Sequence, residues 1–460
     1  MAAIDPSAAA QIAQAAVALL LVLAFLVAHR RSPSWGMALV WMSWLFVPFV
    51  RRLIEYAFVP GERDVLSLLP FALTGLAAIL ALRRSMPTRR AWAIVLMAAA
   101  MFLIGVIPGL SQPFALAFAL VSYGAALSAA AIGWTEAVEH PRRPLGSLGR
   151  VLLLALPVLG IYSIVQYFQP ALLPWDALWA ETSGIRSLLT PEEGRLRTYA
   201  TLNSPLPAAA TLGVALLVWL RKERLSYVEI AAGVLGGMAF ALTYVRSAWV
   251  GIGVAVLVLL LATRDRVTVG RTAFGSALAA GILLIGSAHP TVQAIIARIF
   301  SIGAFDTDVS ARARGELIGE VLPGTTNPDS ILGHGLGQAG LASDLGGPTP
   351  LASADNGYLA ILYQSGFGGL ALLLVTLAAL LFLAARNTYR GVPGAGLELA
   401  LVFFFIVLHF FNDALYGMRG VMLWYVAGRI LAGAYAERPK PARADAQLKR
   451  AQAESDPVHA

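Results

Sequence analysis

Cysteine is absent from this 460-residue chain, which excludes disulfides, thiolate metal sites and cysteine nucleophiles. Charge is scarce as well. Asp, Glu, Lys and Arg together make 13% of the residues, against 58% hydrophobic ones. A soluble protein cannot hide that much apolar surface. Also missing is a basic stretch ahead of the first apolar run, which follows Asp5 directly. That run therefore reads as a retained anchor and not as a cleaved signal peptide. Net charge is +8, but the basic residues sit in short clusters between apolar segments. This is the pattern that orients a membrane protein, and it argues against nucleic-acid binding.

What the chain has in abundance is apolar runs of spanning length. They fall at about 8–28, 35–53, 65–82, 91–110, 114–133, 151–168, 205–220, 227–243, 248–263, 272–288, 357–385, 398–415 and 418–434. The expected fold is all-α, a polytopic helical membrane protein with about 12–13 transmembrane helices. The organisation follows: an N-terminal bundle over 1–168, a first external loop over 169–204, and central helices over 205–288. A large external loop then occupies 289–356, C-terminal helices 357–434, and a disordered cytoplasmic tail 435–460. Arg30/Arg31, Arg83/Arg84/Arg89/Arg90, Arg142/Arg143/Arg150, Arg221/Lys222/Arg224, Arg264/Arg266/Arg271 and Arg386/Arg390 occupy alternate loops. With the tail cytoplasmic they share the cytoplasmic side, and the two long loops share the external one. Arg51 and Arg52 break the bias, since they end the second span on the external side. Either the N-terminus is external or an early span is misplaced. No internal repeat is evident, which weakens a transporter built from inverted repeats.

Polar groups gather at the external side. Arg197, in the run 197–205, leads into a membrane helix. Its guanidinium suits bidentate contact with phosphate, and it equally suits an interfacial anchor. Arg246 is a cation on the side where the bias disfavours one, so it either pairs with a carboxylate or binds phosphate. The stretch 310–318 reads as a short amphipathic helix capped by Asp308 or Ser310. In it Arg312 is spaced to pair with Glu316, while Arg314 shares a face with Leu317, Ile318 and Val321, so Arg314 is the preferred ligand. The glycines at 335, 337 and 340 match a dinucleotide fingerprint in letters only, because the strand–turn–helix context is absent. They are expected to let backbone pass close to a membrane helix or a lipid phosphate. Asp306 and Asp308 resemble a metal–nucleotide motif weakly, and a cap accounts for Asp308. Asp355 is expected to cap the helix that starts near Gly357, and as an ionised carboxylate to accept a proton or hydrogen bond. His334 and His409 are the histidines nearest this face, and no pairing suggests a metal site.

The order of four motifs resembles the O-antigen ligase and O-antigen polymerase superfamily. They are Arg-Thr-Tyr-Ala-Thr-Leu-Asn-Ser-Pro at 197–205, Thr-Tyr-Val-Arg-Ser-Ala-Trp at 243–249, Gly-His-Gly-Leu-Gly at 333–337, and Asp-Asn-Gly-Tyr-Leu from 355 with a later Gly-Phe-Gly-Gly. The resemblance covers about 190–430 and implies a GT-C type glycosyltransferase of the bacterial cytoplasmic (inner) membrane. Its donor would be an undecaprenyl-pyrophosphate-linked glycan and its acceptor a second glycan, with no nucleotide sugar, metal or other cofactor. A flippase and a chain-length regulator are the implied protein partners, beside the bilayer itself. The catalytic residues expected are Asp355 and Arg246. Those expected to hold substrate are Arg197, Arg314, Arg312, Asn203, Tyr244, Asn356 and Arg419. Ligases of the family carry histidine where this chain has Asp355, so the resemblance leans towards a polymerase. A ligase is the first alternative and a lipid-linked glycan transporter the second.

Overall fold

The computed structural model describes residues 6–58, 65–169, 171–183, 188, 196–263, 265–300, 319, 331–340 and 356–435. Among them there is no strand. The helices in chain order begin with α1 (Pro6–Arg31), α2 (Pro33–Phe58), α3 (Val65–Arg84), α4 (Arg89–Ile104), the short α5 (Val106–Gly109), α6 (Pro113–Glu139) and α7 (Gly146–Phe168). Then come α8 (Pro174–Thr182), α9 (Pro205–Arg221), α10 (Tyr227–Leu242), α11 (Arg246–Thr263), α12 (Arg266–Ile285), α13 (Pro290–Phe300), α14 (Gly357–Tyr389), α15 (Ala395–Phe411) and α16 (Gly417–Tyr435). All thirteen apolar runs are helical. Among the described residues seven helices are long and apolar enough to cross a membrane, namely α1, α2, α3, α6, α7, α11 and α14. The apolar α9, α10 and α15 are shorter. Both expected loops also carry helix: α8 lies in the first, and α13 opens the second.

Small residues set the closest packing. A Cβ added to Gly133 of α6 would lie 1.9 Å from the Tyr425 carbonyl oxygen of α16, and one on Gly428 would lie 1.9 Å from that of Ala130. Alanines 125, 126, 129 and 130 complete the α6 face and are buried. Close backbone approach is how apolar helices associate where the surroundings are as apolar as their side chains. α11 and α15 run antiparallel. Gly396 at the start of α15 meets Thr263 at the end of α11, and Gly251 near the start of α11 meets Phe404 further along α15.

The alternation of helices separates two ends. One carries the basic turns, tied together by Arg84–Glu139 at 2.6 Å, Arg221–Asp265 at 3.1 Å and the buried Arg429–Glu398 pair at 2.9 Å. The other carries the C-terminal ends of α2, α4, α7, α10 and α15 and the N-termini of α9, α11, α14 and α16.

Arg51 and Arg52, which break the charge bias, lie at that second end, each beside a carboxylate. Arg51 pairs with Glu55 at 2.8 Å, and Arg52 is buried against Asp176 at 2.5 Å. Each charge is paired within the fold, so neither is an isolated cation at that end.

Candidate active site

Two of the sequence motifs meet at the end of α10. The backbone N–H of Thr198 donates to the Leu242 carbonyl at 3.2 Å, and that of Arg197 donates to Leu188 at 2.7 Å. The run that begins at Arg197 is thereby joined to the turn that delivers Arg246. That turn is tightly wound. Thr243 Oγ1 donates to the Phe240 carbonyl at 2.7 Å and accepts from the Val245 N–H at 3.4 Å. Tyr244 then takes φ 53°, a left-handed conformation rare for a non-glycine residue. Its ring is buried, stacked on Tyr167 with centroids 6.0 Å apart, and the two hydroxyls are 2.8 Å apart. Tyr244 thus shapes the turn from within the core. Arg246 is the first residue of α11, and both it and Arg197 are half-buried.

The 197–204 run is clamped from behind. Arg52 Nη2 donates to the Ala200 carbonyl at 2.7 Å, and Gln166 Oε1 accepts from the N–H groups of Tyr199 (3.2 Å) and Ala200 (2.8 Å). Thr201 Oγ1 donates to the Leu45 carbonyl at 2.7 Å. Ala200 has φ 50°, a second strained non-glycine residue within the motif. Asp176 completes the clamp. It accepts from Arg52, from Tyr162 Oη at 2.9 Å, from Gln166 Nε2 at 3.0 Å and from Tyr199 Oη at 3.3 Å. Burial first, and the Asp176 carboxylate second, push the Tyr199 hydroxyl well above its ordinary pKa, so it stays a donor. Asn203 is half-buried, its carbonyl accepts from Trp179 Nε1 at 3.0 Å, and its buried side-chain oxygen has no hydrogen-bond partner among the described residues.

The last two turns join the same end. Thr211 in α9 approaches Met418 in α16 at 3.4 Å. The neighbouring Arg419 is 5% exposed and donates to Asn412 Oδ1 at 2.7 Å. The start of α14 packs on the end of α15. A Cβ on Gly357 would fall 2.2 Å from the His409 ring, and Tyr358 Oη donates to the Ile406 carbonyl at 3.3 Å. His409 Nδ1 accepts from the Ala414 N–H at 3.1 Å. Asp413 accepts from Tyr123 Oη at 2.6 Å, beside a cleft lined by Phe118, Ser122, Gln364 and Tyr416.

One assignment is corrected here. The cap of α14 is Asn356, not Asp355: Asn356 Oδ1 accepts from the N–H groups of Tyr358 (3.0 Å) and Leu359 (3.2 Å). The same geometry commits that oxygen to the start of α14. Asp355, Arg312, Arg314, Asp306 and Asp308 lie outside the described residues. Among the described residues no three His, Asp or Glu side chains gather as a metal site would require.

The glycine run serves close approach to membrane helices. Gly333, Gly335 and Gly337 all have positive φ, and Cβ atoms there would come within 2.6 Å of backbone at Gln364, Gly109 and Ala115. Leu336 N–H donates to the Gly105 carbonyl at 2.7 Å, and Gln364 Oε1 accepts from Gly337 at 2.8 Å. α14 breaks where the run crosses it, with Gly366 at φ 64°. His334 is exposed and stacks on Tyr363 with centroids 4.2 Å apart.

Sequence reasoning missed Arg52, Asp176 and Gln166. The one trace they left was the charge-bias violation at Arg51 and Arg52.

No curated protein matches the chain. Residues 231–374 match the family model described as O-antigen ligase. That stretch is less than half of the chain. It includes Tyr244, Arg246, the glycine run and the start of α14, and leaves Arg197 and Arg419 outside. The chain is a multi-pass helical membrane protein that, over its central helices, is similar to the O-antigen ligase and polymerase family.

Proposed function

We propose that this protein is a polysaccharide polymerase joining undecaprenyl-pyrophosphate-linked repeat units at the external face of the bacterial cytoplasmic membrane. The observation that carries this reading is the Thr198–Leu242 hydrogen bond, which puts the Arg197 and Arg246 segments side by side at one end of the bundle. Arg419 lies at the same end, and so do the N-termini of α9, α11, α14 and α16. Helix N-termini and guanidinium groups both favour an anion, and the fork of an arginine matches two phosphate oxygens at once.

In this reading a hydroxyl of one glycan attacks the anomeric carbon of another. The new glycosidic bond forms as the anomeric C–O bond to the pyrophosphate breaks, and the electron pair leaves with undecaprenyl pyrophosphate. Arg197 and Arg246 stabilise that departing charge with groups fixed in advance by the fold. Asp355 orients the attacking hydroxyl and takes its proton. The reaction needs no metal, because the arginines supply the positive charge. The clustering of polar groups at one end favours an enzyme over a transporter, whose ionisable groups would be expected near mid-membrane.

Transfer of the glycan to lipid A core or to protein is the second reading, favoured by the description of the matching family model. The glycan profile of a deletion strain separates the two. Loss of long polymer with single repeats still made supports the polymerase. Lipid-linked polymer that accumulates unattached overturns it in favour of the ligase.

A further inference from the structure

We infer that Arg52 and Asp176 are positioning residues of this site: the buried pair holds the 197–204 run so that Arg197 and Arg246 present a ready-made pyrophosphate cradle. The inference rests on the reading of those two arginines given above.

Four observations carry it. First, the pair is fully inside, with each residue 1% exposed. A buried ion pair is weak support for stability, since desolvation consumes most of its attraction. Its retention calls for a geometric reason. Second, its hydrogen bonds go to the motif and not merely to each other. Arg52 reaches the Ala200 carbonyl at 2.7 Å, and its guanidinium lies over the Tyr199 ring at 4.7 Å. Asp176 holds Tyr199 Oη, and through Gln166 it is tied to the backbone N–H groups of Tyr199 and Ala200. Third, the clamped residue Ala200 is left-handed at φ 50°. Such a conformation persists only where the surroundings over-determine it, and strain of this kind collects at functional sites. Fourth, the clamp and the cradle are contiguous. Thr198, two residues before Ala200, makes the bond to Leu242 that fixes the Arg246 turn.

Arg52 and Asp176 come from α2 and α8, and their partners Tyr162 and Gln166 from α7. Three helices therefore converge on Tyr199 and Ala200. The pair acts through the loop backbone and the Tyr199 side chain. Its loss should loosen the cradle while leaving the helices in place.

The test uses the full-length protein in nanodiscs, with farnesyl pyrophosphate as the probe of pyrophosphate binding. In the double variant Arg52→Met/Asp176→Leu no charge is left buried without its partner. It is expected to reach the membrane folded but melt a few degrees lower, because the Tyr162 and Tyr199 hydroxyls lose their acceptor, and to bind the probe at least tenfold more weakly. Arg52→Lys keeps the charge but has no fork to span Asp176 and the Ala200 carbonyl together, and is expected to fall between. Arg197→Ala is the control for the cradle itself and is expected to lose binding. Native affinity in the double variant, with Arg197→Ala impaired, overturns the clamp and leaves the proposed function standing. Native affinity in Arg197→Ala overturns both. Should the double variant fail to reach the membrane, Arg52→Lys decides: weakened binding at native melting temperature supports the clamp, and native binding refutes it.

Discussion

Asn356 and Asp355 adjoin in sequence, and the structure allows their roles to be separated by substitution. Asn356 Oδ1 accepts two backbone hydrogen bonds at the start of α14, at 3.0 and 3.2 Å, and the residue is 8% exposed. Asn356→Ala removes both. An ordinary N-cap loss costs about 1 kcal/mol, with a range of roughly 0.5–2. Here the cap is buried and serves two donors, and a buried donor left unsatisfied costs about 1–3 kcal/mol by itself. The expected loss is therefore about 2 kcal/mol, read as a fall of several degrees in melting temperature in nanodiscs. Asn356→Asp keeps the acceptor and adds a charge that the helix N-terminus favours, so it should melt like the native protein. Asp355→Asn should also melt like the native protein, because the cap is in place without it. Its polymer yield per molecule should nevertheless drop on the order of 100-fold, the scale at which a general base contributes. Near-native turnover in Asp355→Asn would sink the catalytic assignment. A native melting temperature in Asn356→Ala, with destabilisation in Asp355→Ala, would show that the cap had been assigned to the wrong residue.

Arg246→Lys keeps the charge but loses the bidentate fork, and is expected to lower polymer formation about tenfold or more at unchanged membrane abundance. Near-native polymer would reduce Arg246 to an interfacial anchor. Gly366→Ala puts a Cβ 1.9 Å from the Ile331 carbonyl oxygen on a backbone with φ 64°. It should destabilise the protein by about 2 kcal/mol or more, measured by thermal unfolding, and a native melting temperature would contradict the crossing described at that glycine. Polymerisation in washed membranes should survive EDTA, because in the proposed mechanism arginines carry the departing charge. Inhibition reversed by a divalent cation would return attention to Asp306 and Asp308.

The helices were legible because a spanning segment must satisfy its own backbone and cover its whole surface with apolar side chains. Both demands are local, so hydropathy alone located thirteen runs that are all helical. Gly333, Gly335 and Gly337 were legible in the same way, since a residue without Cβ is required wherever backbones touch. The cap of α14 was missed by one residue. Asp and Asn are equivalent as caps, and nothing in the string Asp355-Asn356-Gly357 says which of them turns first. The helices α8 and α13 were hidden inside loops because they are too short to register as apolar runs. The Arg52–Asp176 pair lay furthest from view. Its members are 124 residues apart, and no local pattern announces which lone acid in a loop will meet which arginine on a helix.

That pair also sets a contrast between arginines spent within the fold and those proposed to meet the substrate. Arg52 and Arg429 are both buried, and each is held by a carboxylate, at 2.5 and 2.9 Å. Their charges are used up within the fold. Arg419 is almost as deeply buried, but the partner it donates to is the neutral amide of Asn412. The neighbouring Asp413 spends its oxygens on Tyr123 Oη and the Leu415 N–H. A buried cation held by a neutral amide and the Tyr416 ring, 5.3 Å away, is costly in a way that a carboxylate-paired one is not. An anion arriving beside Arg419 would offset that cost, and an arginine at the entrance of a helix, such as Arg246, has the positive end of the helix dipole adding to its attraction. In the proposed reading this choice of partners leaves the positive charge of Arg419 to a ligand, since its hydrogen bond goes to the neutral Asn412 and not to a carboxylate.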